Sequence, residues 1–290
     1  MVEISVVMLN WNGRQHISKC LDSIYDNPPQ VSFEVIVVDQ GSIDGSAKMI
    51  GKKYPKVRLI KNAWNIGIAK ATNAAFAATK GEFIFLLGND TVVTHGWADN
   101  CMKIFDSDRR IGCIGSTLVG IDGLSTIKPE QKIRNVWSVS SQAMMLKRKA
   151  IENIGAYDEV NFNPYGGEET DWNYRLKNAG YRVALTRSSI VGHIGGADTK
   201  RQNPEREMLL CYGSLKAMLY NDSAFVFAMR LHHMIVMIIN GLMKGTLIDV
   251  AKGYAKIFSE LGMIWPERKK RSDKLLQIKA MQASQGEAWF

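Results

Sequence analysis

The sequence predicts an α/β protein with a Rossmann-like, mostly parallel central sheet and helices on both faces. Three observations lead there. Four apolar runs of strand length fall at residues 4–9, 33–38, 57–60 and 83–87. Helix-spaced apolar residues separate them. Each run stops at a polar cluster: Asn10-Trp11-Asn12, Asp39-Gln40-Gly41, residues 62–65 and Gly88-Asn89-Asp90. A continuously apolar strand is buried on both faces, as in a parallel sheet covered by crossover helices. Ligands of such sheets sit beyond the carboxyl ends of the strands, where these polar clusters lie.

The elements follow in order. Ile17, Cys20, Leu21 and Ile24 share one face of a first helix. Asp44-Gly45-Ser46 punctuates the second strand and opens a short helix towards Tyr54, with Asp44 read as its cap. Residues 68–78 are alanine-rich and read as a third helix. Trp97, Cys101 and Ile104 fall at helical spacing. Residues 111–115 and 136–146 read as strands separated by a glycine-rich loop. Residues 169–179 form a helix with Gly180 as its C-cap. Short strands at 183–186 and 189–191 lead to His193. From Glu205 the pattern turns helical, with Met208, Tyr212, Leu215 and Leu219 on one stripe. Residues 234–261 are apolar and methionine-rich, and Arg268-Lys269-Lys270-Arg271 follows Trp265-Pro266.

A length of 290 residues suffices for one large α/β domain with an appendage, or for two modest domains. Lysine and arginine total 37 against 28 acidic residues, so the formal charge of +9 favours anionic partners such as nucleotides or an anionic membrane face. Cys20, Cys101, Cys113 and Cys211 lack the spacing of a zinc or redox motif, which suits core packing in a reducing compartment. The chain enters a strand at once, so no signal peptide is expected. Residues 234–243 are too short to span a bilayer and are flanked by Arg230 and Lys244. A cytoplasmic protein is expected, in which Asn89-Asp90-Thr91 and Asn221-Asp222-Ser223 match the glycosylation pattern by chance.

Five segments in order then carry a resemblance. They are residues 6–13 (Val-Val-Met-Leu-Asn-Trp-Asn-Gly), residues 37–46 around Asp39 and Asp44, Asn65-Ile66-Gly67 with Asn73, Leu86-Leu87-Gly88-Asn89-Asp90-Thr91, and Gly167-Glu168-Glu169-Thr170-Asp171 through Arg175 to Ala179-Gly180-Tyr181. Together they resemble family 2 glycosyltransferases of the GT-A fold, over residues 4–198. The resemblance implies an inverting transferase of the bacterial or archaeal surface-polysaccharide type. It would move a sugar from a UDP- or dTDP-type nucleotide-diphosphate sugar to a glycan or lipid-linked acceptor. Residues 1–204 would be the catalytic domain, with 1–115 binding the donor and 116–204 the acceptor; residues 205–290 would be a C-terminal helical region.

The implied donor-binding positions are Leu9, Asn10, Trp11, Asp39, Asn65, Asn73, Asn89 and Asp90. Asp39 ends a buried strand, where its carboxylate could accept a base N–H or simply cap a turn. Trp11 offers either a stacking face or a packed strand end. Asp90 is the central candidate, because a diphosphate leaving group accumulates negative charge that Mn²⁺ or Mg²⁺ neutralises. His193, in Val191-Gly192-His193-Ile194-Gly195-Gly196, matches a further metal ligand of the family and otherwise reads as a histidine satisfied within a glycine loop. The family's acidic or amide residue two positions before the aspartate is here Gly88.

Glu168, Glu169 and Asp171 form the implied catalytic cluster. An inverting transfer needs a base for the acceptor hydroxyl, and the second acid of the pair, Glu169, is the family's base. The helix N-terminus is expected to lower its pKa. The bland reading is ordinary N-terminal helix charge. Asp171 is expected to pair with Arg175 one turn on and order the site; Trp172 either lines the acceptor pocket or packs.

Other classes fit less well. An oxidoreductase or a nucleotidyltransferase would carry a glycine-rich loop where Asn10-Trp11-Asn12-Gly13 stands. Gly88 motivates the alternative of a catalytically inactive nucleotide-sugar-binding or scaffold protein on the same fold. Phe225, Phe227, Met229, Met234, Met237 and Met243, beside the basic cluster at 268–271, suggest peripheral docking at the inner membrane face. The competing reading is packing on the core or a homodimer interface. No nucleic-acid partner is expected.

Overall fold

A computed structural model describes residues 2–195, 205–223, 226 and 231–285. The first four strands are β1 (Ile4–Asn10), β2 (Phe33–Gln40), β3 (Val57–Asn62) and β4 (Phe83–Leu87). They pair in parallel in the order β3-β2-β1-β4. The pleat sends alternate residues to opposite faces. Ile4, Val6 and Met8 join Ile17, Cys20, Leu21 and Ile24 of α1 (Arg14–Asp26) in one core. Val7 joins Ala69, Ala71, Ala75 and Phe76 of α3 (Ile68–Ala78) in another. The short α2 (Ser46–Lys53) adds Ile50 to the first core. Both faces are thus covered, as the apolar runs require.

Five strands extend the sheet: β5 (Thr91–Val93), β6 (Ile111–Gly120), β7 (Ile133–Asn135), β8 (Ala143–Lys147) and β9 (Arg182–His193). β8 runs antiparallel between β4 and β6, and β6 runs parallel to β9. β5 and β7 pair antiparallel to β9. Helices α4 (Asp99–Ser107), α5 (Arg148–Ile154) and α6 (Glu168–Asn178) complete this part.

Three sequence expectations change here. The strand expected over 136–146 begins only at Ala143; residues 136–142 form a loop in which Val136 donates to the Val183 carbonyl and Val139 is buried. Val136, Trp137 and Val139 give this loop the apolar, β-branched composition of a strand, although Trp137 is exposed. The two short strands at 183–186 and 189–191 are one, β9, interrupted by a bulge: Ser116 faces Thr186, but Thr117 faces Ile190. β5 and α5 escaped notice, one for its three residues and the other because it follows β8 with no breaker.

The C-terminal part contains α7 (Arg206–Asn221), α8 (Leu231–Met243), α9 (Leu247–Ser259) and α10 (Leu261–Ser284). Tyr212 and Leu215 of α7 share a third core with Phe162, Tyr174, Ile257 and Ile264. α7 reaches the loop before α6 closely: a Cβ on Gly213 would lie 2.1 Å from the Gly166 carbonyl oxygen, so only glycine fits. Leu275 and Ile278 of α10 pack on the second core. All four cysteines are free and buried. No described helix is long and apolar enough to cross a membrane. Ile235, Val236, Ile238, Ile239 and Leu242 of α8 are exposed, whereas Phe225, Phe227 and Met229 lie outside the described residues.

Candidate active site

The carboxyl ends of β1 and β4 frame a cavity of about 480 Å³, a size suited to a small ligand. Leu9, Asn10, Trp11, Asn65, Asn89 and Asp90 all line it. Trp11 is 37% exposed. Asn89 Nδ2 donates to Asn10 Oδ1 at 3.3 Å, tying the ends of the two central strands together. The Asn65 carboxamide oxygen accepts the Gly67 N–H at 3.0 Å and fixes the entry to α3.

Two of the implied donor contacts lie elsewhere. Asp39 sits behind the wall, 2% exposed; it accepts from Asn10 Nδ2 at 2.7 Å and from the Ser42 N–H at 3.1 Å. It holds a cavity residue in place rather than facing the cavity itself. Asn73 points away altogether: its amide donates to the Tyr157 carbonyl and Glu159, and its oxygen accepts the Tyr157 N–H. Its assignment to donor binding is corrected to a brace between α3 and the loop at 157–159. Asp44 accepts from the Ser46 N–H and hydroxyl, as a cap does.

β5 pairs with the end of β9 so that Thr91 stands opposite His193. This brings Asp90 Oδ2 to 3.0 Å from His193 Nε2. Burial opposes the charge on Asp90, but the His193 hydrogen bond and charge outweigh it and keep the carboxyl below its ordinary range. The same bond raises the imidazole of His193 above its ordinary value, against burial. Among the described residues no group of three or more His, Cys, Asp or Glu side chains gathers to hold a metal. Carboxylate and imidazole are nevertheless a fitting donor pair for Mn²⁺.

α6 opens with its three acids turned to three places. Glu169 Oε2 accepts the N–H of Ser141, a cavity residue, at 2.5 Å. Glu168 is sealed in at 5% exposure, and its Oε2 is buried without a partner among the described residues. Burial, reinforced by the charge of Glu169, pushes Glu168 up to about 8. Burial also raises Glu169, against the Ser141 hydrogen bonds. The expected lowering by the helix N-terminus is therefore corrected: desolvation wins. Asp171 is fully buried and holds Arg175 at 2.8 Å, Asn221 Nδ2 at 2.8 Å and Arg271. Its catalytic assignment is corrected to an anchor between α6, α7 and α10; the expected Arg175 pair is present. Trp172 packs, with no exposure, and donates to the Gly155 carbonyl.

Sequence reasoning missed Gln142, Ser141, Tyr165 and Arg206, all of which line the cavity. Ser141 and Gln142 arrive on the loop read as a strand. Arg206 arrives from the first residue of α7, some forty positions beyond the acidic pair. The one available signal was Gly88, whose missing side chain leaves room for something else.

A sheet of this order, with a cavity over its parallel strand ends that Asp90 lines, is that of the GT-A fold. The family model of Glycosyl transferase family 2 matches residues 5–170, and the chain belongs to that family. It is 32% identical over 117 residues to the chondroitin synthase of Pasteurella multocida, a match covering 39% of this chain and 12% of that protein. The chain thus spans only a small part of that relative's length. Among solved structures, S. aureus TarS 1–349 in complex with UDP superposes with a TM-score of 0.61 at 15% identity, covering 98% of this chain and 92% of that one. GalNAc-T7 with UDP, GalNAc and Mn²⁺ gives a TM-score of 0.61 at 15% identity, covering 75% and 48%.

Proposed function

We propose that the chain is an inverting glycosyltransferase that moves a hexosyl or deoxyhexosyl group from a UDP- or dTDP-sugar to a glycan or lipid-linked acceptor. The observation that carries this reading is a cavity lined by Asp90, which His193 holds at 3.0 Å, and by Ser141, whose N–H is held by Glu169. Trp11, Asn10 and Asn65 would take the nucleoside, and Arg206 would face the diphosphate. Asp90 and His193 would hold Mn²⁺ or Mg²⁺, which supplies charge neutralisation to the departing diphosphate. Glu169 takes the acceptor hydroxyl proton as its oxygen attacks the face of the sugar opposite the leaving group, which inverts that centre. Glu169 keeps some exposure while Glu168 is buried, which favours Glu169 as the base.

The donor and cofactor assignments draw on the UDP and Mn²⁺ bound in the structural neighbours. Nucleotide release from a panel of UDP- and dTDP-sugars, with Mn²⁺ or with chelator, tests the reading. Gly88 and the two-ligand metal pair favour a second reading, a nucleotide-sugar-binding scaffold without catalysis. Metal-independent donor binding with no release would select it.

Residues 205–290 are proposed as a helical region that docks at the inner face of a membrane. The exposed apolar residues of α8 and, within the run at 268–271, the exposed Lys269 and Lys270 support this, whereas Arg268 donates to the Leu219 and Asp222 carbonyls and Arg271 pairs with Asp158 and Asp171. Co-sedimentation with anionic liposomes at low salt tests it. Failure to sediment, with dimerisation by light scattering, would assign α8 to a homodimer interface.

A further inference from the structure

Gly88 stands where the family carries a side chain, and the structure shows what fills the space. A Cβ built on Gly88 would meet Gln142 Oε1 at 1.7 Å and Asp90 Oδ1 at 2.8 Å. Both oxygens therefore lie within 2.8 Å of the point where the absent side chain would begin. The Gly88 N–H donates to the Gln142 carbonyl at 3.0 Å, so the backbones of β4 and the 136–142 loop are locked together there. The register fixes the approach: Leu87 pairs with Ala143, which puts Gln142 beside Gly88.

Gln142 Oε1 is buried and has no hydrogen-bond partner among the described residues. Leaving a buried carbonyl oxygen unpaired costs roughly 1–3 kcal/mol. The same side chain lines the cavity beside Asp90. Asp90 Oδ2 meets His193, and its Oδ1 lies 2.8 Å from the absent Gly88 Cβ position that Gln142 Oε1 approaches to 1.7 Å. An amide oxygen is a ligand that hard divalent cations accept alongside carboxylates. It would add a neutral oxygen donor to the aspartate and the histidine.

We propose that Gln142 supplies, from the neighbouring loop, the oxygen donor that Gly88 removes, and that Asp90, His193 and Gln142 form the cation site of this chain. The inference rests on the metal role of Asp90 under the proposed function. A side chain at 88 would displace the Gln142 amide from this place.

Mn²⁺ binding by the full chain, measured by electron paramagnetic resonance of free Mn²⁺ with and without UDP, tests this without any transfer assay. Gln142→Met keeps the bulk and removes the oxygen; Mn²⁺ affinity should fall on the order of 10-fold or more, while the thermal unfolding midpoint stays near that of the parent. Gln142→Glu should restore or tighten binding. Gly88→Asp alone should disturb the site, whereas Gly88→Asp with Gln142→Ala should recover Mn²⁺ binding, because the donor then returns on β4. If Asp90→Ala loses Mn²⁺ and Gln142→Met binds it as the parent does, the inference is overturned and the proposed function stands. If the parent itself fails to bind Mn²⁺, both fall.

Discussion

The strand ends and the start of α6 are both rich in polar side chains, yet they build the site by different rules. At the ends of β1 and β4, the chain stops on a sheet edge and Asn10, Trp11, Asn89 and Asp90 reach one cavity. At the start of α6, Glu168, Glu169 and Asp171 are neighbours in sequence but diverge around the helix. Glu169 meets a cavity loop, Glu168 is sealed in, and Asp171 grips Arg175, Asn221 and Arg271 on the far side. Successive helical positions are set about 100° apart, so a sequence cluster there is not a spatial cluster. A polar group at a parallel strand end is directed by the fold; one at a helix start has to be placed by its partners.

The comparison yields predictions of graded size. Asp90→Ala should abolish metal-dependent donor binding in calorimetry, because it removes the carboxylate that His193 holds at 3.0 Å. Unchanged donor affinity with and without chelator would remove Asp90 from the metal site. Glu169→Gln should keep donor affinity and lower transfer by about 10²–10⁴-fold. Since burial raises Glu169, transfer in the parent should fall as pH drops through that raised value. If Glu169→Gln transfers normally while Asp171→Asn is dead, the roles of the two acids are exchanged.

Asp171→Asn should act on stability instead. It removes the charge of a fully buried carboxylate that pairs with the largely buried Arg175 and Arg271, a loss of up to about 3–5 kcal/mol. Denaturant midpoints check this, and the surviving folded fraction should still bind donor. Glu168→Gln should act through the pH dependence of stability. Its folded pKa is raised from 4.5 to about 8, so the folded state binds the extra proton. The stability it contributes is complete below about 4.5 and is lost as pH rises through about 8. Unfolding midpoints of Glu168→Gln should therefore decline less than those of the parent between pH 5 and about 8. Equal slopes would place Glu168 in a more solvated setting.

The same contrast explains what was legible. The four parallel strands could be read because burial on both faces leaves an uninterrupted apolar run, and their polar ends marked the cavity. Asp39 and Asn73 looked like ligands because sequence order records that a side chain is polar, not that Asn10 or the Tyr157 backbone already uses it. Gln142 was hidden inside an apolar stretch whose loop conformation is set by contacts with β4 and β9. Arg206 reaches the cavity only through the packing of α7 on the glycines before α6.

The most direct test of a metal-assisted inverting transfer is anomeric analysis of nucleotide-sugar turnover. NMR should follow the sugar's anomeric signal in parent protein given UDP- and dTDP-sugars, Mn²⁺ and candidate glycan or lipid-linked acceptors. The account predicts product of opposite anomeric configuration to the donor, formed only with Mn²⁺ and lost in Glu169→Gln. Product that retains the donor's configuration, or that forms equally with chelator present, would contradict it.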